Sequence, residues 1–175
     1  MDMLGQSCND VNRIAASCAR SFRRRRRAID AAFRTAGSHT LTAVFNGTAA
    51  FAPSRSAALN EAVSQAATTT TLTASSNPAP VGQPLVLTVT VTPAFTGAGA
   101  PTGTVILRDG SNTIGFATLD ASGRATFTFV PGQVVGTGRH RSTILPKGVH
   151  HLSVSYSGDG NFAASNSVPL DLTVV

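Results

Sequence analysis

The sequence contains little charge, few aromatic residues other than phenylalanine and little cysteine. Of its 175 residues, 13% are charged, none is Trp, one is Tyr and two are Cys, whereas globular domains usually carry about 25% charged residues. Glutamate occurs once, at Glu61. This scarcity excludes long surface helices held by paired Glu and Lys side chains, because such helices need many residues of both kinds.

Cysteine and the usual catalytic motifs are missing from most of the chain. Both cysteines, Cys8 and Cys18, precede residue 36, and an isolated pair does not identify a redox compartment. The sequence has no GxSxG elbow and no phosphate-binding loop followed by lysine, and paired carboxylates are scarce. We therefore predict a noncatalytic protein with no catalytic, cofactor-binding or metal-binding residues.

The positive charge lies near the N-terminus. The formal net charge is +6, and residues 1–35 hold eight arginines, including Arg23 to Arg27, against three aspartates. Apolar residues recur around this block at helical intervals, so residues 1–35 are predicted to form a basic arm that is helical or disordered. The arm lacks the apolar run of about 7–15 residues that a secretory signal needs. No stretch approaches the roughly 20 apolar residues of a membrane span.

From residue 68 onward, short alternating runs separated by turn residues are typical of an all-β sandwich or barrel. Asp109 and Gly110 predict a tight hairpin turn, because Gly tolerates a positive φ. Seven strands within residues 68–175 fit an immunoglobulin-like sandwich, and periodicity alone leaves a closed barrel as the alternative. The predicted strands are residues 69–74, 85–91, 104–108, 113–119, 124–130, 152–156 and 168–174. In the last one, Val168, Leu170, Leu172 and Val174 are expected to face inward.

An internal repeat relates residues 37–63 to residues 148–174, at an offset of 111 positions without a gap. Ten of the 27 positions are identical, and similarity at a fixed period indicates a tandem array. Residues 36–67 are therefore predicted to be the last two strands of a truncated Ig-like repeat, followed by a complete domain at residues 68–175. The identical pairs are Gly37/Gly148, His39/His150, Leu41/Leu152, Gly47/Gly158, Phe51/Phe162, Ala52/Ala163, Ser54/Ser165, Ser56/Ser167, Leu59/Leu170 and Val63/Val174.

Several motifs of residues 68–175 occur in an order and spacing that resemble the bacterial Ig-like domains of the group 3 type. They are TTTTLTASSNP at 68–78, VGQPLVLTVTVTP at 81–93, PTGTV at 101–105, DG at 109–110, ATLDASGRATF at 117–127 and YSGDGNF at 156–162. The resemblance implies a seven-stranded sandwich that acts outside the cell as a spacer or adhesion module, without catalysis. Residues 131–147 are longer than the family's usual connection, and residues 1–35 resemble nothing in the family.

Two groups of residues contain side chains that are possible metal ligands. Asp159 and Asn161 offer oxygen ligands for Ca²⁺, but two side chains are too few for an ion that takes six to eight oxygens. Both residue types also stabilise turns through their own backbone, which is the interpretation favoured here. His150 and His151 are adjacent on a predicted strand and point to opposite faces, so the pair does not hold one ion, even with His140 nearby.

The sequence thus predicts an extracellular or cell-surface Ig-like module that serves as a structural spacer or adhesion domain, with its export signal absent from this chain. The predicted partners are neighbouring Ig-like repeats and an unidentified protein or glycan ligand. The alternative is binding of a polyanion, either nucleic acid or an anionic membrane, through the arginine-rich arm. Nucleic acid is disfavoured, because like-charge blocks often remain disordered and no aromatic stacking platform accompanies this one.

Overall fold

The structure is a computed structural model that describes residues 35–95, 97–136 and 141–175. Apart from Thr35, the arm predicted at residues 1–35 lies outside the described residues. The chain divides after Ser64 into two compact units. The second unit begins at Gln65, and residues 65–66 hydrogen-bond to the turn at residues 159–163.

The first unit contains two short antiparallel strand pairs. Its strands are β1 (Gly37–Leu41), β2 (Val44–Phe45), β3 (Ser54–Arg55) and β4 (Leu59–Val63). The chain turns back between β2 and β3, so that β2 pairs with β3 and β1 pairs with β4. Together they form one interrupted hairpin.

The second unit is built from strands in two sheets. They are β5 (Thr68–Ala74), β6 (Leu85–Pro93), β7 (Thr104–Asp109), β8 (Asn112–Thr118), β9 (Arg124–Phe129), β10 (Val134–Val135), β11 (Ser142–Thr143), β12 (Gly148–Tyr156), β13 (Ser165–Asn166) and β14 (Leu170–Val174). One sheet has the order β5-β6-β9. In the other, β8 pairs with β7 and β7 with β12, whose far side carries both β13 and β14. All these neighbours are antiparallel. The immunoglobulin-like sandwich is therefore confirmed over the barrel.

Alternation along the strands places the core between the two sheets. On β6, Leu85, Leu87 and Val89 are at most 1% exposed, whereas Val86 between them is 36% exposed. Successive side chains of a strand point to opposite faces, so this strand buries one face and leaves the other to threonines. The other buried hydrophobic residues are Ala79, Val91, Val105, Leu107, Leu119, Ala125, Phe127, Leu145, Leu152, Val154, Tyr156, Phe162, Leu172 and Val174.

The inward orientation predicted for Val168 is wrong. Val168 is 83% exposed, and Ser167 is buried in its place. The last strand is broken into β13 and β14, and the next inward residue after Ser167 is Leu170, three positions later instead of two. One extra residue reverses the alternation locally. Pro169 lies in this break, where no ladder partner requires the N–H that proline lacks.

Ser167 closes the ladder across this break. Its Oγ accepts a hydrogen bond from the Val154 N–H at 2.9 Å, and its own N–H donates to the Val154 carbonyl at 2.8 Å. The side chain thus takes the place of a backbone acceptor. Without it, the buried N–H of Val154 would lose its hydrogen bond.

The long connection at residues 131–147 contains structure that periodicity did not predict. The short strands β10 and β11 pair with each other, and the Gly132 N–H donates to the Ile144 carbonyl at 2.8 Å. Leu145 is 3% exposed and joins the core. The insertion is therefore anchored to the sandwich at its base.

The two related hairpins have the same pairing register. Gly37 pairs with Val63, and the residues 111 positions later, Gly148 and Val174, pair with each other. All the β1–β4 and β2–β3 pairs correspond in this way to pairs that β12 makes with β14 and β13. The sequence repeat is therefore also a repeat of backbone structure.

The substitution Ser167→Ala is expected to lower the free energy of unfolding by about 1–3 kcal/mol, because it leaves the buried Val154 N–H without an acceptor. Chemical denaturation followed by circular dichroism measures the change. The control is Ser153→Ala on the partner strand β12, outside the buried set, which should change stability by about 0.5 kcal/mol or less. Equal effects of the two substitutions would contradict the role given to the Ser167 hydroxyl.

Candidate functional site

The turn that follows β12 is organised by the carboxylate of Asp159. Its Oδ1 accepts hydrogen bonds from the backbone N–H groups of Asn161 and Phe162, at 2.8 and 2.9 Å. Its Oδ2 accepts from the backbone N–H and the hydroxyl of Thr102, at 2.9 and 2.6 Å. One side chain therefore shapes its own turn and joins it to the loop before β7.

The hydrogen bonds keep Asp159 ionised. Partial burial opposes ionisation, but the Thr102 hydroxyl and the backbone N–H groups of Asn161, Thr102 and Phe162 together lower the pKa of Asp159 below its ordinary value of 3.8. Both oxygens of Asp159 thus accept hydrogen bonds from groups of the protein, and Asn161 takes part through its backbone N–H. The contacts support the structural interpretation of this motif rather than the calcium hypothesis.

Tyr156 and Phe162 hold the two sides of the same turn. The Tyr156 hydroxyl donates to the Thr102 carbonyl at 2.7 Å, and its ring is 1% exposed. Burial and the nearby charge of Asp159 raise the pKa of Tyr156 to about 12, so the phenol stays neutral and remains a donor. Phe162 is 3% exposed and anchors the end of the turn in the core.

His150 makes two side-chain hydrogen bonds at the edge of the core. Its Nδ1 lies 2.7 Å from Asp109 Oδ2, and its Nε2 lies 2.7 Å from the Pro146 carbonyl oxygen. The residue is 8% exposed. The imidazole thereby connects β12 to the end of β7 and to the base of the 131–147 connection.

His151 points away from His150, as expected for adjacent residues of a strand. Its Nδ1 lies 2.6 Å from Asp171 Oδ1, on the solvent side, where both side chains are about two-thirds exposed or more. The two histidines are therefore held by different carboxylates on opposite faces of the sheet. His140, the third residue considered for a metal site, lies outside the described residues.

Within residues 35–95, 97–136 and 141–175, no three His, Cys, Asp or Glu side chains are grouped closely enough to hold a metal ion. Over the same residues, no helix has the length and apolar character needed to cross a membrane. The arginine block and both cysteines belong to residues 1–34, which the structure does not describe.

Comparison with protein families gives the match that decides the classification. Residues 72–175 match the family described as bacterial Ig-like domain (group 3). The chain belongs to this family. The match covers more than half of the chain and nearly all of the second unit. A search of curated proteins found no match.

Membership identifies the second unit as an Ig-like module of a family that is typically noncatalytic. Asp159 and Phe162 of this Ig-like module were identified from the YSGDGNF motif. Thr102, which contacts Asp159, and Asp109, which contacts His150, were not, because a threonine in PTGTV and an aspartate before a turn glycine each have an adequate local explanation. Their contacts depend on how distant loops meet.

Asp159→Asn is expected to lower the free energy of unfolding by about 1–3 kcal/mol at neutral pH, because an amide nitrogen does not accept the hydrogen bonds from Thr102. The folded pKa of Asp159 is lowered, so its ionised form stabilises the fold above its unfolded pKa and this stabilisation is lost as the pH falls through the folded value. The variant should therefore lose less stability than the natural chain below about pH 4.

Denaturation curves at a series of acidic pH values measure this difference. Asp120→Asn is the matched control, because the Ser122 hydroxyl and the N–H groups of Arg124 and Ser122 lower the pKa of Asp120 within a single exposed turn. Its effect at neutral pH should be smaller than that of Asp159→Asn. Parallel pH profiles of Asp159→Asn and the natural chain would contradict the assignment.

The adjacent histidines provide a second matched comparison. His150→Ala is expected to cost about 2–3 kcal/mol of unfolding free energy, because it removes two hydrogen bonds and a buried ring. His151→Ala should cost at most about 0.5 kcal/mol, because its contact with Asp171 is exposed to solvent. Thermal and denaturant unfolding measure both. A larger cost at His151 would show that the buried contacts of His150 do not stabilise the module.

Proposed function

We propose that this protein serves as a noncatalytic structural spacer or adhesion module of a bacterial surface or secreted protein. The observation that carries the proposal is the position of the two ends of the second unit. Its first residues lie beside the turn after β12, and its last residue lies beside the segment 79–81, near the start of β12. The chain therefore enters and leaves the module at opposite ends.

Backbone hydrogen bonds define both ends. The Ala66 N–H donates to the Asn161 carbonyl at 2.8 Å, and the Ala163 N–H donates to the Ala66 carbonyl at 2.9 Å. At the other end, Gly148 pairs with Val174. Because β12 has nine residues, the two ends are separated by about 27 Å at about 3.4 Å per residue. Modules joined at such ends extend in a line, as a spacer requires.

The terminal strands are also arranged to resist extension. The Ala79 N–H donates to the Thr173 carbonyl at 2.8 Å, the Val175 N–H to the Ala79 carbonyl at 3.0 Å, and the Val81 N–H to the Val175 carbonyl at 2.9 Å. These bonds join residues 79–81 to residues 173–175, and the two segments run parallel. Tension along the strands loads them together rather than one at a time, which is the mechanical basis of the spacer proposal.

Force spectroscopy on the full chain held at its two ends tests this mechanism. The second unit, Gln65–Val175, should unfold in one event that lengthens the chain by about 370 Å. This is about 3.6 Å for each extended residue minus the roughly 27 Å that separates the ends of the folded unit. Val81→Pro removes the N–H bonded to Val175 and should lower the rupture force.

Val89→Ala is the control for this experiment, because it weakens the core without touching the terminal hydrogen bonds. At equal loss of unfolding free energy, it should lower the rupture force less than Val81→Pro does. A rupture force that follows only the thermodynamic stability of the two variants would argue against a mechanical role for the hydrogen bonds between residues 79–81 and 173–175.

The proposal also includes location at the cell surface and a role in adhesion. They are supported by membership in a family whose domains are often extracellular, and by exposed loops and strand edges that a ligand can reach. Antibodies against the second unit should label intact cells of the source bacterium. Labelling only after lysis would contradict surface display and leave the mechanical role to be judged by force spectroscopy.

The charge distribution favours polyanion binding as a second candidate function. Residues 1–35 carry +5 of the net charge, and binding through arginines to phosphate or sulfate weakens as salt rises. Heparin and DNA binding by the chain with and without residues 1–35 distinguishes the two functions. Equal weak binding by both forms is the expected result, whereas salt-sensitive binding that disappears with the arm would establish the second function.

A further inference from the structure

The hairpin of the first unit repeats the side-chain contacts of the hairpin in the complete module. His39 Nε2 lies 2.9 Å from the Thr35 carbonyl oxygen, and His150 Nε2 lies 2.7 Å from the carbonyl oxygen of Pro146, 111 positions after Thr35. Each ring donates to the carbonyl four residues before it. The repeated histidine thus has the same local role in both places.

The break in the last strand is also repeated. The Ala43 N–H donates to Ser56 Oγ at 2.9 Å, and the Ser56 N–H donates to the Ala43 carbonyl at 2.9 Å. These are the contacts of Val154 with Ser167. The hairpin therefore reproduces the serine contact, which is needed only where an edge strand is interrupted.

The turn glycines agree as closely. Gly47 and Gly158 have φ values of +79° and +80°. A Cβ at either position would lie 2.8 Å from the carbonyl oxygen of the phenylalanine four residues later, Phe51 or Phe162. Neither position accommodates a side chain, so both turns require glycine.

The two hairpins differ in what covers them. Phe162 is 3% exposed, but Phe51 is 68% exposed; Leu152 is fully buried, but Leu41 is only half-buried; and Leu59 is 60% exposed. In the complete module, the β5-β6-β9 sheet covers this apolar face. A hairpin alone is marginally stable in water, so the first unit has a face shaped for a sheet that the described residues 35–64 do not supply.

We propose that residues 35–64 are a donor hairpin that completes a second Ig-like sandwich, whose other five strands are supplied by an Ig-like partner segment outside residues 1–175. The contacts of the complete module also indicate which side chains the partner places beside the hairpin. Ser165 Oγ lies 2.7 Å from the hydroxyls of both Thr68 and Thr70 on the first strand of the complete module. Ser54 occupies the position of Ser165, so the partner's first strand carries hydroxyl side chains that face Ser54.

Glu61 indicates how this partner differs from the chain's own strands. It occupies the position of Leu172, which is fully buried, and it lies directly opposite His39. Burying an unpaired carboxylate in the apolar site of Leu172 would be costly. The partner therefore presents a basic or hydrogen-bonding group to Glu61, and exchange of hairpins between two copies of this chain is disfavoured.

A fusion chain tests the fit. Residues 65–147 are joined directly to Gly37 of a chain that continues to Val175, which reproduces the natural junction between residues 147 and 148. Glu61→Leu removes the mismatch with the Leu172 position. In this variant, amides of β1 and β4 should exchange with solvent at least 100-fold more slowly than in the natural chain. The fusion that retains Glu61 should show at least tenfold less protection than the variant.

Leu41→Asp in the Glu61→Leu fusion is the control. It should abolish protection of β1 and β4 while the amides of β12 and β14 remain protected in the same molecule. If β1 and β4 of the Glu61→Leu fusion exchange as fast as in the natural chain, the hairpin does not accept Ig-like strands and the proposal fails.

The natural chain distinguishes the other possible covers of this face. Protection of β1 and β4 that rises with protein concentration would identify a second copy as the occupant. Strong protection that is independent of concentration and disappears when residues 1–34 are deleted would identify that segment. Either result would overturn the proposal, whereas fast exchange of β1 and β4 in the natural chain is the result expected from it.

Discussion

Burial of one face of β12 is the constraint on which the rest of the Ig-like module depends. This strand pairs with β7 on one side and with β13 and β14 on the other, and its inward residues Leu152 and Val154 are fully buried. A buried aliphatic side chain of this size contributes about 1.5–3 kcal/mol. Because three neighbouring strands take their register from β12, the loops at both of its ends are positioned by the same burial, including the contacts of Asp159 and His150.

The two hairpins show which structural features depend on local residues and which depend on tertiary packing. Both have the same register, the same glycine turn and the same serine bridge across a broken strand. They differ in whether a second sheet covers them. Phe162 is covered and buried, whereas Phe51 is exposed. Backbone geometry in this hairpin therefore follows from residues within the hairpin, whereas burial of its apolar face depends on a facing sheet. The identities between the repeats fall at positions with these local roles.

Periodicity predicted the strands that alternate without interruption, such as β6 and β9, and the turn glycine at Gly110 predicted the hairpin between β7 and β8. It failed where the alternation is broken. Val168 points to solvent because one extra residue separates β13 from β14, and the residue types around Pro169 do not reveal how many positions the break occupies. The hairpin of β10 and β11 was missed because each strand has two residues, too few to show a period.

The sequence by itself determined the all-β class, the family, the internal repeat and most of the buried face. These properties depend on residue type and on spacings of two residues or of one repeat, which are visible along the chain. Only the tertiary structure decided the partners of the polar side chains. Asp159 meets Thr102 across 57 positions and His150 meets Asp109 across 41, and both pairs are brought together by the pairing of β12 with β7 within one sheet. It also decided that the chain enters and leaves the module at opposite ends, because that depends on the strand order and not on any local pattern.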